Sequence, residues 1–231
     1  MAVKANHDIS SGLDTAFINS AINSNLAYRP EFVSNDYTQG KKVSVAIERE
    51  LRHCDAFYIS VAFITEGGLA PLKQVLAELR DKGIPGKILT TSYLTFTEPK
   101  ALKTLADLSN VEVRVYDSTD EGASGFHTKG YIFKEEEIYR FIVGSSNMTA
   151  SAFSVNKEWN TKLVSTSDGE LLKQMMTEFN ALWNSKHTLA VKDFIEDYEV
   201  RYRLIKEQKK NAAKEQMVDL QAYKLQPNKM Q

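Results

Sequence analysis

His127 and Lys129 stand two residues apart in the alternating run Phe126-His127-Thr128-Lys129-Gly130-Tyr131-Ile132-Phe133. An extended chain turns residues i and i+2 to one face, so an imidazole and an ammonium can address the same anionic group. That pair suits phosphoryl transfer: the imidazole attacks or gives a proton, and the ammonium neutralises the non-bridging oxygens. A second strand-like run, Phe141-Ile142-Val143, ends in the small-residue turn Gly144-Ser145-Ser146-Asn147. There the Ser145 hydroxyl and the Asn147 amide can donate to those oxygens. Glu158, eleven residues beyond Asn147, can accept from the other ring nitrogen of His127 and fix its tautomer. Each residue alone is ordinary: a strand histidine is more often packed or surface-lying, and Gly-Ser-Ser-Asn is by itself a turn. The joint spacing carries the reading.

The elements that must position these groups follow from periodicity. Apolar residues repeat at helical spacing over Leu13 to Asn23, over Val43 to Leu51, from Leu69 to Leu79, over Pro99 to Leu108 and from Leu171 to Trp183. Between them lie strand-like runs at Phe57 to Ile64, Lys87 to Thr91 and Val111 to Tyr116. Thr128 to Phe133 and Tyr139 to Val143 pair as a hairpin across the charged tip Lys134 to Glu137, and Trp159 to Val164 adds another strand. Alternation of strand and helix predicts an α/β/α sandwich whose sheet is mixed but mostly parallel. The near-continuous apolar run at Phe57 to Ile64 fits a strand covered on both faces.

A chain of 231 residues with 42% hydrophobic and 26% charged residues can bury a sizeable core. Its net charge of −1 means that a nucleic-acid partner must be held by a local patch. Lys87, Arg140, Lys157 and Lys162 are candidates for that contact. Cys54 is the only cysteine, so no intrachain disulfide and no cysteine metal site can form. No run is long and apolar enough to span a bilayer, and Met1 to Ser10 lacks a signal-peptide core, which predicts a cytoplasmic protein with no membrane partner. No cluster of carboxylates and histidines has metal-ligand spacing, so neither a metal nor a cofactor is expected. From Val191 to Gln216 seven positive and six negative residues nearly cancel, which reads as a solvated helix laced with ion pairs.

His127-Thr128-Lys129, Gly144-Ser145-Ser146-Asn147 and Glu158 together resemble the half-site of the phospholipase D superfamily: H-x-K, then G-S-x-N, then an acidic residue about eleven further on. The longer motif carries an aspartate five after the lysine, where this chain has Lys134; the nuclease branch often lacks it, so the departure favours a nuclease over a lipid enzyme. Leu26 to Pro30, Val33 to Asp36, Val61 to Thr65 with Gly67-Gly68-Leu69, and Thr91 to Leu94 resemble the phospholipase D-like N-terminal domain of bacterial DEAD/DEAH-type helicases and restriction-type proteins. Leu225 to Gln231 resembles the adenine-contacting segment of superfamily 2 helicases.

The resemblance implies a phospholipase D-like domain over 1–187, a charged helical connector over 188–224 and the start of a helicase-like domain at 225–231. It also implies a metal-independent endonuclease that cuts DNA, with RNA left open, through a phosphohistidine. His127, Lys129, Asn147, Ser145 and Glu158 would be its catalytic set. None of His7, His53 and His187 is followed two residues later by lysine. One half-site is present, so a homodimer sharing one active site is expected. The alternative is a catalytically weak module that binds nucleic acid and dimerises on behalf of a helicase motor.

Overall fold

Burial alternates strictly along Ala56–Val61, with Phe57, Ile59 and Val61 buried and Tyr58 and Ser60 half-buried. This strand lies at the centre of the sheet. The computed structural model describes residues 29–223. In chain order the elements are β1 (Glu31–Val33), α1 (Val43–His53), β2 (Ala56–Val61), α2 (Glu66–Leu69), α3 (Lys73–Asp81), β3 (Gly86–Thr91), α4 (Pro99–Ala106), β4 (Val111–Tyr116), β5 (Lys129–Glu135), β6 (Ile138–Gly144), α5 (Ala150–Ser154), β7 (Asn160–Thr166), α6 (Glu170–Trp183), β8 (Thr188–Ala190) and α7 (Val191–Tyr223).

The eight strands form one mixed sheet in the order β1-β7-β6-β5-β2-β3-β4-β8. Helices cover both faces, as expected, but the sheet is not mostly parallel. Only β2–β3 and β3–β4 run parallel; the other five pairings are antiparallel. The cause is connection length, because a parallel step needs a crossover of a dozen or more residues. Helical crossovers follow β2 and β3, whereas β5 and β6 are joined by a tight hairpin whose Glu136 takes a left-handed φ of 51°.

The faces are unequal. Phe57, Ile59, Val61, Ile88, Val113, Tyr131 and Ile142 pack against α1, α2, α3, α4, α5 and the start of α7. On the other face Tyr58, Leu89, Ile132 and Phe141 meet α6 through Leu172, Phe179 and Trp183. The expected boundary after residue 187 falls inside this folded unit. Thr188–Ala190 pairs with β4, and Val191, Phe194 and Tyr198 are buried in the main core. Their helical spacing is hidden in the sequence by the charges between them. The helix expected over Leu13 to Asn23 and the helicase-like segment 225–231 lie outside the described residues.

Two backbone features lock the segment that carries the site. Asn35 is buried; its amide donates to the carbonyls of Ala152 (2.9 Å) and Asn156 (2.7 Å), and its oxygen accepts from Val43 N–H (2.9 Å). At Gly144 a Cβ would stand 2.1 Å from the Trp159 carbonyl oxygen, so only glycine lets β6 and β7 close at this end. Asn35→Ala strands two buried backbone groups and one half-buried one and is expected to lower stability by about 3 kcal/mol. A urea titration checks this, and an unchanged midpoint would contradict the clamp.

Candidate active site

The antiparallel ladder of β2 and β5 pairs Val61 with Lys129 and continues beyond β5, where Ala62 N–H donates to the Thr128 carbonyl at 3.0 Å. The chain is therefore extended through His127-Thr128-Lys129. Thr128 shares a 2.6 Å hydrogen bond with Ser60 on the α6 face. Alternation turns the neighbouring His127 and Lys129 the other way, in line with buried Tyr131. The Lys129 ammonium donates to the His127 carbonyl at 3.1 Å. The exposed His127 ring stands edge-on to Phe63, centroids 5.9 Å apart.

The Gly-Ser-Ser-Asn turn leaves β6 beside this pair. Ser145 N–H donates to the Trp159 carbonyl at 3.1 Å, and Trp159 N–H donates back to the Ser145 hydroxyl oxygen at 3.0 Å. The Ser145 hydroxyl in turn donates to Glu158, whose carboxylate also accepts from Ser146 at 3.4 Å. Glu158 is only 7% exposed. Ser146 is held by Asn160, whose amide donates to its hydroxyl at 2.9 Å, and the Tyr131 hydroxyl donates to its carbonyl at 3.0 Å. Asn147 is oriented by Phe63 N–H, which donates to its side-chain oxygen at 3.2 Å. An N–H can meet only the oxygen, so the Asn147 NH2 is the end left for a ligand.

His127, Lys129, Asn147, Ser145 and Glu158 thus gather at one end of the sheet, but two roles differ from expectation. Ser145 directs its hydroxyl hydrogen at Glu158, which makes it a brace for the carboxylate within the subunit. Glu158 makes no hydrogen bond to His127 of its own chain among the described residues. Sequence reasoning also missed Phe63, which touches both His127 and Asn147; the apolar run Val61 to Ile64 was its signal, read only as a strand.

The candidate phosphate-backbone contacts are engaged elsewhere. Lys162 is buried between Glu50 and Glu31. Arg140 pairs with Glu135 and Glu50, and Lys157 donates to the Asn35 carbonyl. Lys87 lies 5.2 Å from the Trp183 ring centre. Lys134, at the aspartate position of the longer motif, pairs with Ala56 at the opposite end of β5 from Lys129.

An imidazole, an ammonium, an amide and a braced carboxylate stand at one sheet end, a set of groups whose chemistry suits a phosphoryl group. The family model for "Cardiolipin synthase, PLD-like domain" matches residues 53–183, more than half of the chain, and spans every one of these groups. The chain belongs to the phospholipase D superfamily. Phosphodiester chemistry is the superfamily's business, and a phosphodiesterase-type function follows for this phospholipase D-like chain. Its fold is shared with Nuc from Salmonella typhimurium, a phospholipase D family member, at 15% identity and a TM-score of 0.54, covering 70% of this chain and 98% of that one. NucT from Helicobacter pylori gives 14% identity and a TM-score of 0.54, with 71% and 99% covered. Phosphatidylserine synthase from Haemophilus influenzae gives 15% and 0.52, with 82% and 46% covered. Comparison with curated protein sequences finds no match. No helix among the described residues is long and apolar enough to cross a membrane.

Burial holds the Lys129 ammonium below the ordinary lysine pKa, while the nearby Glu158 carboxylate pulls the other way. As pH rises, Lys129 is therefore expected to lose its charge earlier than a surface lysine near 10.4 would, roughly. Glu158→Gln removes the supporting charge and moves the midpoint lower still. A carbon-13 NMR titration of the lysine side chains checks both; a Lys129 midpoint at or above the ordinary range contradicts the geometry.

Proposed function

We propose that this chain is a metal-independent endonuclease of the phospholipase D superfamily that cuts DNA through a phosphohistidine. One observation carries the reading: the groups needed for one half of an in-line displacement converge beside β5 and β6, and the sequence holds a single H-x-K with which to make them. A second copy facing the first across a two-fold axis completes the site.

In the first step the His127 imidazole attacks phosphorus, and the bond to the leaving oxygen breaks. His127 of the second copy, protonated, gives its proton to that oxygen. Lys129 and the Asn147 NH2 meet the charge that grows on the non-bridging oxygens. A water molecule then attacks the phosphohistidine, giving its proton to the second imidazole, and the first His127 is released. Glu158 is not spent on its own His127, so it is available to orient the imidazole of the second copy. Trp159, next to Glu158, is 77% exposed and stands edge-on to exposed Phe32 at 6.0 Å. A pair of uncovered aromatics bordering the site suits a contact between copies.

Nuc and NucT are matched over 98% and 99% of their chains, against 46% for phosphatidylserine synthase, and Lys134 at the motif's aspartate position favours a nuclease over a lipid enzyme. The later turns of α7, which run on to Tyr223, suit a connector to a helicase-like motor in a larger protein.

Incubation with single- and double-stranded DNA in EDTA tests the proposal. Cleavage is expected to persist in the chelator, and His127→Ala is expected to lower it by at least about 10³-fold without abolishing DNA binding. Loss of cutting in EDTA with rescue by magnesium, or an active His127→Ala, would overturn it.

A further inference from the structure

Beside the phosphate-handling groups lies a cavity of about 630 Å³ that shares Asn147 and Glu158 with them. We propose that this cavity is a nucleobase subsite, which receives the unpaired base flanking the scissile phosphate and makes single strands the preferred substrate. The inference rests on the reading of the site as a phosphodiester-cleaving one.

Its aromatic wall is the pair Phe63 and Phe96, rings edge-to-face with centroids 5.0 Å apart. Phe63 is the residue that orients Asn147 through its N–H and stands edge-on to the His127 ring, so the wall adjoins the phosphate groups directly. Phe96 is 47% exposed at the mouth. The Lys209 ammonium sits 4.8 Å from its ring centre. An aromatic surface with a cation beside it, next to a phosphate site, is the arrangement by which single-stranded nucleic acid is held. Residues able to hydrogen-bond, the exposed Ser151 and Asn156, line the same cavity. The floor is small: a Cβ on Gly67 would approach Ala150 Cβ to 3.0 Å. A base, flat and polar at its edge, fits such walls; an acyl chain would leave Ser151, Asn156 and Glu98 facing hydrocarbon.

The loop that presents Phe96 is held in a costly shape. Leu94 and Thr95 are consecutive non-glycine residues with φ of 51° and 54°. The buried Thr97 hydroxyl donates to the Thr91 carbonyl at 3.1 Å, and the Tyr198 hydroxyl to the Thr97 carbonyl at 2.7 Å. Backbone strain retained against such anchors is found where a ligand must be clamped. The last anchor comes from α7, so the helix read from sequence as a connector also sets this wall.

The test compares thymidine 5′-(4-nitrophenyl phosphate) with the same diester of abasic deoxyribose, both in EDTA. Wild type is expected to prefer the thymidine ester in kcat/KM by about tenfold or more, the scale of one base stacked on an aromatic side chain. Phe96→Ala is expected to bring that preference close to unity, and Phe96→Tyr to keep it, which guards against a misfolded variant. A wild type that does not distinguish the two esters, or a Phe96→Ala that keeps the preference, overturns the subsite. So does a Phe96→Ala that weakens dimerisation in sedimentation while base preference stands, because a second copy would then fill the cavity. Should wild type hydrolyse neither ester, the hydrolytic reading fails by itself; equilibrium binding of the two esters to wild type and Phe96→Ala then decides the subsite by the same ratio.

Discussion

A carboxylate almost out of water is the constraint around which this site is built. Burying a carboxylate such as that of Glu158 is costly unless hydrogen bonds and opposite charge replace the solvent it has lost. The Ser145 and Ser146 hydroxyls supply the bonds, and Lys129, at the start of β5, supplies the charge. Each brings further structure with it. Ser146 is tied to Asn160 and Tyr131, and Ser145 is tied to both backbone groups of Trp159, which demands the close approach that Gly144 allows. The Gly-Ser-Ser-Asn turn is thereby fixed, and Asn147 is delivered to Phe63 with its NH2 unpaired among the described residues.

The sheet's uneven cover has a related origin. The main core uses six helices because the crossovers after β2 and β3 and the chain around α1, α5 and α7 all fall on one face, leaving α6 to cover the other. The active end of β5 and β6 stands at the rim of both layers. There the strand ladder holds backbone positions, and side chains remain free to meet a ligand. Such a rim is also where two copies can approach without unpacking either core.

Much of this was legible in the chain. His127, Lys129, Gly144, Asn147 and Glu158 sit in short, strongly patterned segments, so spacing alone placed them at one sheet end. What spacing could not reveal was partnership. The Ser145 hydroxyl can serve phosphate or carboxylate equally well, and only the fold shows that Glu158 takes it. Parallel and antiparallel pairing were misjudged because strand residues look alike in both; connection length, not strand composition, decides the matter. Val191, Phe194 and Tyr198 were lost among the charges of α7, since a helix with a short buried stripe has weak periodicity when read over its whole length. Phe63 was read as strand core, although its backbone N–H and its ring serve the site.

The central claim is that neither copy of this chain holds a complete active site. Mixing wild type with His127→Ala at constant total protein, after subunits have exchanged, tests it directly. With a shared site only wild-type pairs cut, so an equal mixture is expected to retain about one quarter of the wild-type activity, the statistical share of such pairs in a two-fold dimer. A fall in simple proportion, to about half, would mean that each chain works alone and would contradict the account.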